Sequence, residues 1–399
     1  METKFVTAIA KGKEGVEVGK EVASRALAKL EGQKPNFAIV FSSSEYDYKK
    51  VIEGIRGVIG NEVKLIGCSS AGEFTEEIVQ KGSVALALIS SDNYKFFTGL
   101  GKGIRKNEMD ALKEATTDFP LYVAGYPYLS AINLHDGLAG KGEEIVAATI
   151  RVLGSHIKFG GGSAADDLKM KETYVFEDGK VETDAVVLAL IASKLPVIIT
   201  VEHGHNPISP PLVVTEAKGN IVYKLNDKPA FEVWKDCVRQ KAMERFNIDV
   251  DKAFAGSSEL IKVLTAYPLG LYTGEGYKIR WLGIEARTDG PLVATCGIPE
   301  GAVVRIMESS KEDQIESARK AARKAKELAE NKEIAGAIVF DCAVRGVILG
   351  EDFHKAVEAI YQEIKVPLVG FETYGEVCAE IGELSGFHNT TTVIMLLPK

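Results

Sequence analysis

Three stretches of the chain place an acid six residues beyond a glycine: GCSSAGE at 67–73, GGGSAAD at 160–166 and GFETYGE at 370–376. Their residue types suit the holding of a guest. Glycine lets a ligand or a second backbone approach closely. The hydroxyls of Ser69, Ser70 and Ser163 and the free amides around Gly161 can hold a polar group, and Glu73, Asp166 and Glu376 can bind a cation or move a proton. The third stretch is the most chemically loaded, because Glu372 and Tyr374 add a carboxylate and an aromatic wall. That combination suits a cationic or amine-bearing guest.

Other residues invite sharper chemistry. Cys68 is followed by serines and amides that could form an oxyanion site, but its counterparts are Gly161 and Phe371, so the expected role is a small buried hydrophobe. GGGSAA at 160–165 fits G-x-G-x-x-A, yet no helix opens on it, and the chain leads instead to a hairpin turning at Asp178-Gly179; a pyrophosphate site is not expected. His203 and His205 have the spacing of one strand face but no evident third ligand, which predicts a polar pair rather than zinc. Arg280, in the alternating run YKIRWLGIE, could grip a carboxylate with two nitrogens or serve as a ladder position. His388 and Asn389 lie just before the last strand. No cofactor and no metal is expected.

The elements that must position these residues repeat with them. Apolar strands at 37–41, 131–134 and 337–340 each precede a segment of helical period, then a second strand that runs into the glycine motif, then a third strand at 84–89, 185–191 or 392–397. The fold class expected is α/β, built of repeated β-α-β-β units in mixed sheets with flanking helices. The first two strands of each unit should be parallel and the third antiparallel. Gly67, Gly160 and Gly370 should occupy equivalent strand positions, at the carboxyl ends where open α/β sheets bind ligands. Residues 211–225 read as a hairpin around Gly219-Asn220, 228–243 as a helix, 277–285, 292–296 and 303–307 as strands, and 311–332 as a charged helix with a narrow apolar face.

Composition bounds the rest. A chain of 399 residues, 46% hydrophobic and 26% charged, has ordinary globular composition, and its net charge of −8 offers no general attraction to nucleic acid or anionic lipid. Five widely spaced cysteines without a C-x-x-C pair point to a reducing, cytoplasmic setting. The most apolar window, 186–201, is interrupted by Lys194 and Pro196, so no membrane span is expected.

The chain resembles the FIST family through IGCSSAGEF, FGGGSAADD and the passage VVTEAKGNIVYKLNDKPAFEVW in its first half, and through YPLG, YKIRWLGIE, IPEGAVVRIM, VGFETYGEV and FHNTT in its second. The resemblance implies an N-terminal FIST domain over 1–225 and a C-terminal one over 226–399. It further implies a sensory module of signal transduction that binds a small ligand, an amino acid or related metabolite, without turning it over. Its output partner would then be a separate signalling protein. The competing expectation is an enzyme, a hydrolase or transferase, that uses Cys68, Glu376 or His388 in the same pocket.

Overall fold

The computed structural model describes residues 2–274, 276–379 and 386–399. The first repeat comprises β1 (Lys4–Ala10), α1 (Gly15–Lys29), β2 (Phe37–Ser43), α2 (Tyr48–Ile59), β3 (Lys64–Ser70), the hairpin β4 (Glu73–Thr75) and β5 (Val79–Gln80), and β6 (Val84–Ser90). The second follows the same course with β7 (Tyr94–Lys102), α3 (Glu108–Ala115), β8 (Tyr128–His135), α4 (Gly142–Leu153), β9 (Lys158–Ser163), the hairpin β10 (Val175–Glu177) and β11 (Lys180–Glu182), and β12 (Ala185–Ser193). The third begins with β13 (Ile198–His203) and is then interrupted.

The interruption is a compact unit of its own, His203–Gln314 with His388–Thr390. It holds β14 (Asn206–Pro207), β15 (Leu212–Lys218), β16 (Ile221–Leu225), β17 (Lys228–Pro229), α5 (Ala230–Phe246), α6 (Ser258–Ala266), β18 (Leu269–Tyr272), β19 (Tyr277–Arg280), β20 (Leu292–Val293) and β21 (Val303–Glu308). The antiparallel order is β17-β16-β15-β21-β18-β19. Gly219, at φ +60°, makes the expected turn between β15 and β16. Trp234 of α5 is fully buried and donates its indole N–H to the Tyr267 carbonyl at 2.9 Å. The expected strand at 277–285 ends at Arg280.

The third repeat resumes with α7 (Lys311–Ala329), β22 (Ile334–Cys342), α8 (Ala343–Leu349), α9 (Phe353–Ile364), β23 (Leu368–Thr373), β24 (Glu376–Ala379), β25 (Phe387–His388) and β26 (Thr391–Pro398). Each repeat builds the same four-stranded core, in the orders β1-β6-β2-β3, β7-β12-β8-β9 and β13-β26-β22-β23. The central pairs β2–β3, β8–β9 and β22–β23 are parallel, and β6, β12 and β26 return antiparallel, as the β-α-β-β reading predicts. Each repeat also carries one more strand and helix at its start than that reading contains. In the third copy these two elements, β13 and α7, are separated by the inserted unit, which hides the longer period.

Local chemistry explains the helices. In α2, Val51, Ile52 and Ile55 are buried on one face. The Asp47 side chain accepts from the amides of Lys49 and Lys50 at 3.0 and 3.4 Å, a cap contributing about 1 kcal/mol, and Gly60 at φ +82° ends the helix. The inner faces of all three sheets form one apolar core. At its heart Phe41 stacks on Phe371 at 4.4 Å, and Phe340 meets Phe371 edge-on at 6.0 Å. Burying each ring contributes ~1.5–3 kcal/mol.

The hairpins tie the copies into a ring. β4 of the first copy pairs with β23 of the third, β24 of the third with β9 of the second, and β10 of the second with β3 of the first. In the first and third copies the glycine motif thus leaves its own sheet and enters a neighbour's at Glu73 and Glu376, whereas in the second β10 does so nine residues beyond Asp166.

Candidate functional site

Gly67, Gly160 and Gly370 pair with Val40, Ile132 and Val339, each three residues before its strand ends. The place excludes side chains: a β-carbon on Gly67 would stand 2.1 Å from the Val40 carbonyl oxygen. Just beyond, the three motifs interlock. Ala71 N–H donates to the Glu372 carbonyl at 3.0 Å and Glu372 N–H to the Gly72 carbonyl at 2.8 Å; Ala165 N–H donates to the Ser69 carbonyl at 2.9 Å; Ser163 N–H donates to the Gly375 carbonyl at 2.8 Å.

Two of the motif acids perform one structural task. Glu73 accepts from the Ser70 hydroxyl and from Ser83, whose amide lies at 3.0 Å and hydroxyl at 2.7 Å. Glu376 accepts from the Thr373 hydroxyl at 2.5 Å and from the Thr391 amide and hydroxyl at 3.0 and 2.8 Å. Each carboxylate thus ties the end of a motif strand to the start of the returning strand. Burial pushes Glu73 up to about 8 and Glu376 up to about 7, against the lowering effect of these donors. In the second copy Asp166 instead collects the amides of Met170, Lys171 and Glu172 at 2.9, 2.6 and 3.1 Å and the Tyr374 hydroxyl at 2.5 Å. There Asp136 takes the amide before the returning strand, that of Asp184, at 2.9 Å.

Glu372 differs from these acids. It is 1% exposed, and its Oε2 has no hydrogen-bond partner. Its carboxylate lies between two glycines: a β-carbon on Gly72 would be 2.3 Å from Oε1, and one on Gly346 2.0 Å from Oε2. Burial pushes the group up to about 8; Lys81 opposes that rise, and Asp341 and Asp167 add to it. It lines a cavity of about 580 Å3 together with Glu77 and Lys81, from the first copy's hairpin segment, and Gly346, Phe353 and His354, from the α8–α9 segment. The cavity lies at the carboxyl end of β23, where α/β sheets receive ligands.

The two corresponding junctions carry rings. Tyr174, whose amide donates to Ser69 Oγ at 2.9 Å, meets Tyr48 at 5.1 Å between the first and second copies. Between the second and third, the Phe387 ring lies where a β-carbon on Gly142 would be at 2.4 Å and one on Gly375 at 2.2 Å.

Residues 36–228 match the model of the FIST N domain and residues 230–379 that of the FIST C domain. The chain belongs to the FIST family. It is 26% identical over 402 residues to the uncharacterized protein MJ1623 of Methanocaldococcus jannaschii, a match spanning 94% of this chain and 75% of that protein. A crystal structure of a chorismatase aligns over 100% of this chain and 99% of its own at 9% identity with a TM-score of 0.34, too low for any inference about fold or activity.

In this FIST protein the remaining candidates fall in separate places. Cys68 is fully buried in the central core, and burial pushes its thiol well above the ordinary range. Arg280, His388 and Asn389 belong to the inserted unit. Arg280 is buried, and the carbonyl of the next residue, Trp281, accepts the Thr295 amide at 2.9 Å; Thr295 in turn donates its hydroxyl to Asn389 Oδ1 at 2.5 Å. Ser163 Oγ lies 2.8 Å from His135 Nε2, and His135 Nδ1 lies 2.9 Å from Asn133 Oδ1. Burial pushes His135 down to about 4, so its imidazole is neutral near pH 7. His203 and His205 stand 6.2 Å apart, ring to ring, and the His205 amide donates to His203 Nδ1 at 3.2 Å. Among the described residues no group of three or more His, Cys, Asp or Glu is placed to hold a metal ion, and no helix is long and apolar enough to cross a membrane.

Sequence reasoning did not single out Lys81, Gly346, Phe353 or His354. Only the departure of the hairpin at 73–80 from its own sheet brings Lys81 to the third copy, and no local pattern announces that exchange.

Proposed function

We propose that this FIST chain is the ligand-binding part of a small-molecule sensor, that its guest is a small amine-bearing metabolite such as an amino acid, and that the guest is held without being turned over. The supporting observation is Glu372, a carboxyl buried to 1% exposure with an oxygen that lacks a partner. A buried unpaired polar group costs ~1–3 kcal/mol, and an ammonium guest would remove that cost. Lys81 offers a cation for the guest's own carboxylate, and Phe353 an apolar wall. Glu376, whose two oxygens are already taken, serves as scaffold in this reading. The output passes to a separate signalling protein.

The test is a thermal-shift screen of amino acids and related metabolites, followed by calorimetry. A ligand at about 100 times its Kd stabilises the fold by about 2.7 kcal/mol. Glu372→Gln should weaken binding of a true amine ligand by roughly 2–5 kcal/mol; equal binding by wild type and variant would place the guest elsewhere.

One observation favours a second reading, an acyl-transfer enzyme: the contiguous Ser163, His135 and Asn133. Against it, Ser163 and His135 are 2% and 1% exposed, so a substrate would reach the hydroxyl only after the chain opens. Turnover of an ester panel abolished by Ser163→Ala would replace the sensor reading.

A further inference from the structure

The second copy carries a cavity that the other two lack a loop to build. Its helix-to-strand connection, between α3 and β8, spans residues 116–127, whereas the equivalents are 30–36 and 330–333. The long connection exposes Leu121 at 97% and Tyr122 at 73%. With the first residues of β8 and β9 it encloses about 360 Å3, lined by Tyr122, Tyr126, Tyr128, Ser130, His156 and Lys158. These residues lie at the amino ends of β8 and β9, whereas the Glu372 cavity lies at the carboxyl end of β23.

We propose that this cavity binds a small aromatic carboxylate. Ser130 pairs with Lys158 across the β8–β9 ladder, which puts both side chains on one face. Ser130 is 4% exposed, and its Oγ has no hydrogen-bond partner. Lys158 forms no ion pair among the described residues. A hydroxyl donor without an acceptor thus stands beside a cation without a counter-ion, and one carboxylate would answer both. The tyrosines supply the wall for the ring. Lys95 and Lys194, with their ammonium groups 5.8 and 5.7 Å from the Tyr126 ring centroid, keep the surroundings cationic although the whole chain carries −8. Asp92 acts on those two lysines, and its carbonyl accepts the Tyr126 hydroxyl at 2.9 Å.

The experiment is calorimetry on the full chain with 4-hydroxyphenylacetate, its neutral amide and tyramine as probes. The acid should bind and both analogues should bind at least roughly tenfold more weakly. Lys158→Gln, a change at a half-buried rim position, should weaken the acid by about tenfold, Ser130→Ala by several-fold, and Glu372→Gln not at all. The proposal is overturned if the amide matches the acid, if Lys158→Gln titrates like wild type, or if no heat is seen up to about 10 mM acid. It is also overturned if Glu372→Gln abolishes binding, since the probe would then occupy the other cavity.

Discussion

Glu372 and Gly72 are joined twice: the glutamate amide donates to the glycine carbonyl at 2.8 Å, and the glycine's missing side chain leaves room for the glutamate carboxylate, which a β-carbon would approach to 2.3 Å. The backbone bond locks the first copy's motif to the third copy's strand, and the bare Cα lets the carboxylate stand at the cavity without a partner. On the other side Gly346 makes the same allowance.

Gly346→Ala therefore tests the site directly. Alanine suits the interior of α8 by about 1 kcal/mol, but its β-carbon would lie 2.0 Å from Oε2, and crowding of this kind costs ~1–3 kcal/mol. The expected outcome is a net loss of stability in urea unfolding and a weakened affinity for an amine ligand. Wild-type affinity in a folded variant would remove Glu372 from the site.

Buried carboxyls predict a characteristic dependence on pH. Glu73 and Glu372, both about 8, and Glu376, about 7, hold protons in the folded state that the unfolded chain releases near 4.5. Stability contributed by these groups is therefore full below about pH 4.5 and declines as pH rises toward 8. Glu372→Gln should flatten the decline and raise the melting temperature of the ligand-free protein at about pH 9. A cationic guest requires the ionised form, so its affinity should rise about tenfold per pH unit between about 6 and 8. Affinity independent of pH over that range would exclude an ammonium contact to Glu372.

Thr391→Val and Ser83→Ala each remove a hydroxyl donor, from Glu376 and Glu73 respectively, and leave only the amide of the same residue on that buried oxygen. Each should cost ~1–3 kcal/mol in chemical denaturation while leaving ligand affinity within about twofold. A loss of affinity without a loss of stability would make these acids part of the binding chemistry rather than of the frame.

Cys68→Ser should leave binding intact, because the thiol is buried among apolar side chains of the core. In the native protein a thiol reagent should label Cys237 first: it is half-buried, while Cys68, Cys296, Cys342 and Cys378 are buried. Rapid labelling of Cys68 with concurrent loss of an activity would support an enzyme.

The features legible in the chain are those decided by near neighbours. Apolar runs of strand length, the helical period after them and a glycine at one spacing were enough to establish three β-α-β-β units, their parallel and antiparallel pairings and the equivalence of Gly67, Gly160 and Gly370, because strand, helix and close-packing preferences act over a few residues. The first strand and helix of each unit do not recur at one spacing along the chain, since in the third copy β13 and α7 are held apart by a whole inserted unit. The differing parts played by the acids were also beyond the sequence. Glu73, Glu372 and Glu376 are the same side chain in similar company, and what separates them is which donors arrive from elsewhere: Ser83 and Thr391 reach two of them, while Gly72 and Gly346 present nothing to the third. Gly72 lies 300 positions before Glu372 in the chain, and only the exchange of hairpins between sheets sets it against that carboxylate. Burial and hydrogen-bond satisfaction are properties of the assembled neighbourhood, so the tertiary structure alone decided which acid faces a cavity.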